Sequence, residues 1–218
     1  MSIRLEVWGD YALFSRPELK VERVSYDVIT PSAARGILES IFWHPGLRYV
    51  IDKIYVLSSV KYANIRRNEV KSKVTASKAK SVMTGGSGDD LYINTKADIV
   101  QRAALVLKDP HYVIEAHFEM TENANASDNP GKFQDMLKRR IVKGQCYHNP
   151  YFGCREFPVK YRLFEFNDVP TVYTEDEKDL GFMLYDFDYS DKENITPMFF
   201  RAVLKNGVMD LTNCEVYK

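Results

Sequence analysis

The stretch His111-Tyr112-Val113-Ile114-Glu115-Ala116-His117-Phe118-Glu119-Met120 decides the fold of this chain. Its even-numbered residues are apolar, and most of its odd-numbered residues are polar. Because successive side chains of a strand point to opposite faces, this alternation predicts a half-buried strand over residues 111–120.

Two amphipathic helices are predicted on either side of this strand. Thr30 suits the N-cap and Pro31 the first position of one helix, which Pro45-Gly46 ends. In the other helix, Pro130 suits the first position and Gly144 the residue just past the end. Together with further strands, the order is βαββαβ, which predicts an α+β, ferredoxin-like (RRM-like) domain over residues 1–166. The further strands are predicted at 3–7, with 11–14 as its continuation, and at 49–60 and 154–166.

Two other regions complete the predicted organisation. Residues 61–100 are rich in Lys, Ser and Asn, and we predict a long, mobile basic loop inserted in the domain. Residues 167–218 lack a helical period and contain Asn206-Gly207, a strong hairpin signal. We therefore predict a small C-terminal antiparallel β-sheet region.

Charge is sorted along the chain although the formal net charge is zero. Residues 61–80 carry seven Lys or Arg against one acid, and residues 131–162 carry eight against two. The compensating acid lies in residues 163–195, with ten Asp or Glu against two Lys. Local potential governs phosphate binding more than net charge does, so we predict a polyanionic partner that contacts both basic segments on one face.

Several classes of protein are disfavoured by composition. No apolar run is long enough for a membrane span, and we read no signal peptide at the N-terminus. Three cysteines at irregular spacing predict neither disulfides nor a zinc site, and they suit a reducing cytoplasm. Nucleotide-binding and metalloprotease motifs are absent, so we predict no metal and no cofactor.

A few residues could act on a bound polyanion. Lys132 falls in the first turn of the second helix, where a cation and outward N–H groups could meet an anion. His44 and His148 flank element ends in basic surroundings. Residues 144–155 mix glycine, aromatic and basic residues, which suits unpaired bases, although a packed loop with aromatic anchors explains them equally well.

Six segments, taken in order, resemble the CRISPR-associated Cas-five family, Dvulg subtype (type I-C), of the RAMP superfamily. The resemblance covers nearly the whole chain. The segments are Gly9-Asp10-Tyr11-Ala12-Leu13-Phe14, Val24-Ser25-Tyr26-Asp27-Val28, Pro31-Ser32-Ala33-Ala34-Arg35-Gly36-Ile37-Leu38-Glu39, Arg66-Arg67-Asn68-Glu69-Val70, Gly131-Lys132 and Gly153-Cys154-Arg155-Glu156-Phe157.

The resemblance implies a pre-crRNA endoribonuclease that works without metal. Such proteins cut repeat RNA beside its hairpin by attack of a 2′-hydroxyl on the adjacent phosphate. They then keep the 5′ handle of the mature crRNA as a subunit of the type I-C interference complex. The family places a Tyr or His near the end of the first helix and a Lys-His pair at the start of the second. Here these positions hold Phe42 and Lys132-Phe133, so His44, or else His148 or Tyr151, would have to stand in, with His44 ranked first.

The sequence is therefore compatible with three functions. The first is the endoribonuclease, and the second is a non-catalytic crRNA-binding subunit, which Phe42 and Phe133 favour. The third is a protein-interaction module whose acidic C-terminal surface docks a basic partner. Predicted partners are the repeat hairpin, the mature crRNA, other subunits of the complex and duplex DNA. The predicted RNA-binding residues are Arg66, Arg67, Lys71, Lys73, Arg139, Arg140, Lys143 and Arg155.

Overall fold

A computed structural model describes residues 2–19, 21–89, 91–173, 177–191 and 193–218. No helix among these residues is long and apolar enough to cross a membrane. The described elements, in chain order, are β1 (Ser2–Trp8), β2 (Tyr11–Ala12), β3 (Arg23–Val24), α1 (Pro31–Ile41), β4 (Leu47–Val56), β5 (Tyr62–Val70), α2 (Ala76–Met83), β6 (Ile99–Lys108), β7 (His111–Met120), α3 (Pro130–Val142), β8 (Lys160–Leu163), β9 (Glu177–Asp188), β10 (Thr196–Lys205), β11 (Val208–Asp210) and β12 (Val216–Tyr217).

The predicted ferredoxin-like arrangement is confirmed. Strands β8, β1, β7 and β4 lie side by side in that order, and each neighbouring pair is antiparallel. Helix α1 precedes β4 and α3 precedes β8, so the two strand–helix–strand units share one sheet. The strand over residues 111–120 has the predicted bounds, and Thr30 and Pro130 occupy the predicted helix-start positions.

The alternation of side chains gives this sheet two different faces. Leu5 of β1 is buried beside Ile114 of β7, and both helices contact strands of the sheet. The buried stripe of α3 includes Phe133, whose ring lies 6.3 Å from that of Phe118 on the same sheet face. The opposite, open face carries the alternate residues, such as Trp8 and Arg162.

The C-terminal region continues the same sheet. β9 and β10 form a long antiparallel pair, and β11 pairs with the edge of β4, with Met209 opposite Ile54. Between β10 and β11, Asn206 and Gly207 both have positive φ, as the predicted type I′ turn requires. This turn reverses the chain so that β11 pairs with β4, and the C-terminal strands thereby extend the ferredoxin-like sheet. We call residues 2–63 and 105–218 the main unit.

Residues 64–104 form a compact unit of their own. The prediction of a long loop over 61–100 was wrong, because β5, the helix α2 and the start of β6 lie there, and β5 pairs with β6. None of the described residues from 64 to 103 is buried. This unit therefore forms strands and a helix without a buried apolar stripe. Such a stripe is the sequence signal from which they could have been predicted.

Three strand bounds also differ from prediction. β4 is Leu47–Val56 rather than 49–60, and β2 belongs to a second sheet, where it pairs with β6 instead of continuing β1. β8 covers only Lys160–Leu163, because the preceding segment is a loop held by the buried rings of Phe152 and Phe157.

Candidate functional site

The first turn of α3 determines where Lys132 lies. The side chain of Asn129 caps the helix by accepting a hydrogen bond from the Lys132 N–H at 2.9 Å. Pro130, at the first helical position, has no N–H to donate. Two of the first three helical positions therefore offer no backbone donor to an anion, and the charge at this helix end comes from the Lys132 side chain.

The Lys132 ammonium and the His44 imidazole lie at the same carboxylate, that of Asp128. Lys132 Nζ donates to Asp128 Oδ1 at 2.9 Å, and His44 Nε2 lies 3.9 Å from Oδ2. The side chain of Asp128 is only 3% exposed. Hydrogen bonds from Lys132 and from the Asn125 N–H lower the pKa of Asp128, so the carboxylate is ionised at neutral pH. We call Asp128, Lys132 and His44 the Asp128 cluster.

His44 is held in one orientation by its neighbours. The Gly46 N–H donates to His44 Nδ1 at 3.0 Å, and this hydrogen bond assigns the proton of the neutral ring to Nε2. The imidazole also packs on Phe133, with ring centroids 4.9 Å apart. A Cβ at Gly46 would lie 2.8 Å from Ala124 Cα and 3.1 Å from His44 Nδ1, so this turn requires glycine. His44 is therefore a preset N–H donor directed towards Asp128.

Phe42 and Phe133 belong to the core beside this cluster. They are 5% and 1% exposed, and their ring centroids are 6.0 Å apart. The Phe42 carbonyl accepts a hydrogen bond from the Tyr49 hydroxyl at 2.9 Å, and the Arg140 guanidinium lies over the Phe42 ring at 5.4 Å. The two positions at which the family resemblance implies proton-transfer residues are thus occupied by buried rings.

The described contacts of His148 lie elsewhere. Its N–H donates to the Ser40 carbonyl at 3.3 Å, and its side chain lines a cavity of about 470 Å³ together with Tyr151 and Arg35. Gly153, in the loop that follows His148, lies against Leu13: its φ is +78°, and a Cβ there would lie 1.9 Å from the Leu13 carbonyl oxygen. Lys132 and His44 do not line this cavity.

The predicted RNA-binding residues of α3 and the following loop divide into two groups. Arg139, Lys143 and Arg155 are exposed. Arg140 instead donates to the Ile41 carbonyl at 3.2 Å, at the C-terminal end of α1, in addition to its contact with Phe42. Its described contacts are those of a residue that joins the two helices.

The predicted cations of residues 64–104 lie on different faces of β5 or beyond it. Arg66 is exposed and Arg67 is half-buried, as expected for consecutive residues of a strand. Lys71 and Lys73 are exposed just after the strand. Arg66 and Arg67 therefore cannot present their side chains to the same surface of β5. The predicted convergence of both basic segments on one face stays a prediction.

Three acids of the acidic segment 163–195 are paired with cations elsewhere in the chain. Asp186 binds Arg35, Asp179 binds Arg201, and Asp188 binds Lys218. Each of these pairs neutralises an acid of the C-terminal surface. Fewer unpaired acids are therefore left for the basic partner of a protein-interaction module.

Asp128 was not among the predicted site residues. The signal was present, because Asp128 and Lys132 are four residues apart across the start of a helix. The described residues contain no group of three or more His, Cys, Asp or Glu that could hold a metal ion, and the three cysteines are free thiols.

Comparison with known proteins identifies the family. The family model described as CRISPR-associated protein (Cas_Cas5), of the Cas5d type, matches residues 2–212. A relative from Mannheimia succiniciproducens, named CRISPR pre-crRNA endoribonuclease Cas5d, is 53% identical over 213 residues, which cover 96% of this chain and 94% of the relative. A relative of the same name from Thermus thermophilus is 36% identical over 226 residues, covering 96% and 90%.

Two solved structures share the fold. One is a functionally uncharacterized protein from Streptococcus mutans, with a TM-score of 0.71 and 23% identity over 100% of this chain and 97% of that one. The other is described as a CRISPR-associated protein, with a TM-score of 0.72 and 21% identity over the same shares. From the family model and the two close relatives, this chain belongs to the Cas5 family of CRISPR-associated proteins, in its type I-C (Cas5d) branch.

Proposed function

We propose that this chain is a metal-independent endoribonuclease that cuts the repeat of pre-crRNA. It then keeps the 5′ handle of the mature crRNA as a subunit of the type I-C interference complex. Two relatives that match nearly its whole length are named pre-crRNA endoribonucleases. The observation that carries the proposal within this chain is the approach of Lys132 and His44 to one carboxylate.

The reaction needs charge stabilisation and proton transfer at one phosphate. The 2′-hydroxyl attacks phosphorus and gives up its proton, the bond to the 5′ oxygen breaks, and that oxygen takes up a proton, which leaves a 2′,3′-cyclic phosphate and a 5′-hydroxyl. Lys132 stabilises the negative charge that develops on the phosphate oxygens. The Nε2–H of the neutral His44 ring donates a hydrogen bond that stabilises the leaving 5′ oxygen, while solvent water takes the proton of the 2′-hydroxyl and supplies the proton of the new 5′-hydroxyl. His148, in its separate cavity, is the alternative acid–base residue.

Asp128 binds one of these donors and faces the other before RNA arrives. Its carboxylate now receives the Lys132 ammonium and faces the His44 N–H. A scissile phosphate that enters here meets both donors already directed to one point, which lowers the cost of orienting them. Asp128 is thus a positioning residue in this proposal.

The test is cleavage of the cognate repeat RNA in EDTA. We expect one cut, a 2′,3′-cyclic phosphate on the upstream product, and no cut when the attacking nucleotide is 2′-deoxy. Lys132→Ala should lower the single-turnover rate by about 10²- to 10³-fold. Lys138→Ala, an exposed lysine of the same helix, should not. Loss of wild-type cleavage in EDTA would contradict metal independence.

The burial of Phe42 and Phe133 favours a second candidate, a crRNA-binding subunit without cleavage. Its signature in the same assay is tight binding of intact repeat RNA by the wild-type chain. Duplex DNA as a further partner belongs to either proposal, and competition between repeat RNA and duplex DNA for the chain tests it. The cytoplasmic location also stays a prediction.

A further inference from the structure

The open face of the ferredoxin-like sheet carries a second polar cluster, away from α1 and α3. Trp8 of β1 and His111 of β7 are register partners on the two middle strands, and their ring centroids lie 6.0 Å apart. Arg162 of the neighbouring strand β8 places its guanidinium over the Trp8 ring at 5.6 Å. Rings on adjacent middle strands of such a sheet form the surface on which RNA-recognition domains stack unpaired bases.

The floor of this surface is fixed by Glu6, which is 4% exposed. Its carboxylate accepts hydrogen bonds from Arg162 Nε at 2.6 Å, Arg162 Nη2 at 2.9 Å and His111 Nε2 at 2.9 Å. Burial alone would raise the pKa of Glu6, but the bonds from Arg162 and His111 lower it. We call Glu6, His111 and Arg162 the Glu6 cluster. It is an ionised floor held by three hydrogen bonds.

Phe164 and Phe166 form the wall of an adjoining cavity of about 610 Å³. Their rings meet edge to face at 5.5 Å, and Phe166 is 72% exposed although the chain segment that carries it is anchored. The anchor is Arg4, whose Nη1 donates to the carbonyls of Phe166 at 3.3 Å and Asn167 at 3.0 Å. The cavity thus has a positioned aromatic wall in which Phe164 is buried and the Phe166 ring is exposed to a ligand.

The charges at this cavity favour a flat, neutral ligand over a phosphate. The Arg162 guanidinium is already bound to the Glu6 carboxylate, so little positive potential remains for an anion. Its exposed plane and the Phe166 ring are surfaces on which a base stacks. Asn167 and Asp168 line the rim, where they can receive the polar edge of a base.

We propose that this cavity on the open sheet face binds an unpaired nucleobase of single-stranded RNA. The inference rests on the proposed function in that RNA is the ligand, and it adds a base-stacking site separate from the Asp128 cluster. Phosphate contacts are supplied elsewhere, and this site contributes affinity by stacking.

The test is titration of the full chain with a short oligoadenylate, and with an abasic oligomer of the same length as a phosphate-only probe. Trp8 fluorescence is read in a Trp43→Phe background, which removes the other tryptophan. We expect quenching of Trp8 by oligoadenylate and a loss of affinity of about tenfold in Phe166→Ala. The abasic oligomer should bind both proteins equally weakly. Phe182→Ala is the matched control, because Phe182 is an exposed ring that meets Tyr217 edge to face in the C-terminal strands.

Three results would overturn the proposal. These are equal affinity of wild type and Phe166→Ala, equal binding of the abasic oligomer and oligoadenylate, and displacement of oligoadenylate from the cavity by a tyrosine-containing peptide. The last would assign the wall to a protein partner. Failure of the wild-type chain to cut repeat RNA would overturn the proposed cleavage, whereas this titration uses no cleavage and still decides the base site.

Discussion

Two carboxylates of the main unit each hold one cation and one histidine, yet they hold them differently. Glu6 receives three hydrogen bonds of 2.6 to 2.9 Å from Arg162 and His111. Asp128 binds Lys132 at 2.9 Å, while His44 stands off at 3.9 Å. A closed network resists rearrangement, whereas an open one can exchange a partner for a substrate. The same residue types therefore suit a rigid floor in one place and a reacting site in the other.

The largest effect that separates the clusters concerns His44. Because its Nε2–H stands where the leaving oxygen needs a donor, His44→Ala should lower single-turnover cleavage by about 10²-fold. The melting temperature should change little. His117 is the matched control, since it is a half-exposed histidine that is bound to a carboxylate, that of Asp52, at 2.8 Å. His117→Ala should cut as wild type does. Equal rates for the wild type, His44→Ala and His117→Ala would show that His44 takes no part in the reaction. His148 would then be the next candidate.

A smaller effect is expected at Asp128 itself. Asp128→Asn keeps the shape of the side chain but removes the charge that holds the Lys132 ammonium, so the four-carbon stem of Lys132 moves more freely. We expect single-turnover cleavage to fall by about tenfold with little change in RNA affinity. Asp135→Asn, an exposed acid on the same helix, is the control. Faster cleavage or tighter RNA binding would show that Asp128 competes with the phosphate instead of positioning its donors.

Substitution in the Glu6 cluster should change the stability of the protein. Glu6→Gln breaks the ion pair with Arg162, and we expect the free energy of unfolding to fall by about 1 kcal/mol, since the guanidinium stays largely in solvent. The pKa of Glu6 is lowered in the folded chain, so the stability it adds is fully present above its ordinary value of 4.5 and is lost as the pH falls further. The free energy of unfolding, measured in urea, should therefore fall more steeply below that pH in the wild type than in Glu6→Gln.

Glu119→Gln is the control for this comparison. Glu119 lies on the same face of β7 as His111 and is also paired with an arginine, Arg48, but both side chains are largely exposed. The free energy of unfolding of Glu119→Gln, and its decrease at low pH, should match those of the wild type. If the two variants behaved alike, the Glu6 network would be an ordinary surface ion pair and not a fixed floor.

The sequence was sufficient where apolar periodicity and capping agreed. The strand over 111–120, the helix starts at Pro31 and Pro130, and the Asn206-Gly207 turn are all found as predicted, because each rests on local chemistry. β5 and α2 were missed since no described residue from 64 to 103 is buried, so their pattern carries no apolar stripe.

The candidate site was predictable only in part. Lys132 and His44 were singled out from their places at helix ends, but their approach to each other depends on Asp128 and on the turn at Gly46. The Glu6 cluster was out of reach of the sequence, because it joins three strands whose register no local signal gives. Long-range register, and not residue type, is the missing information.

The smallest effects should come from cations that neither cluster uses. Arg139 and Lys143 are exposed on α3, so Arg139→Ala and Lys143→Ala should each make the salt dependence of RNA affinity shallower by about 0.7 in the log–log slope. Arg140→Ala should leave the slope unchanged and lower the melting temperature, because Arg140 binds the Ile41 carbonyl and the Phe42 ring. Filter binding over a salt series measures the slopes. A slope change in Arg140→Ala alone would mean that the RNA path runs over the junction of α1 and α3, close to the Asp128 cluster, and not along the exposed stripe of α3.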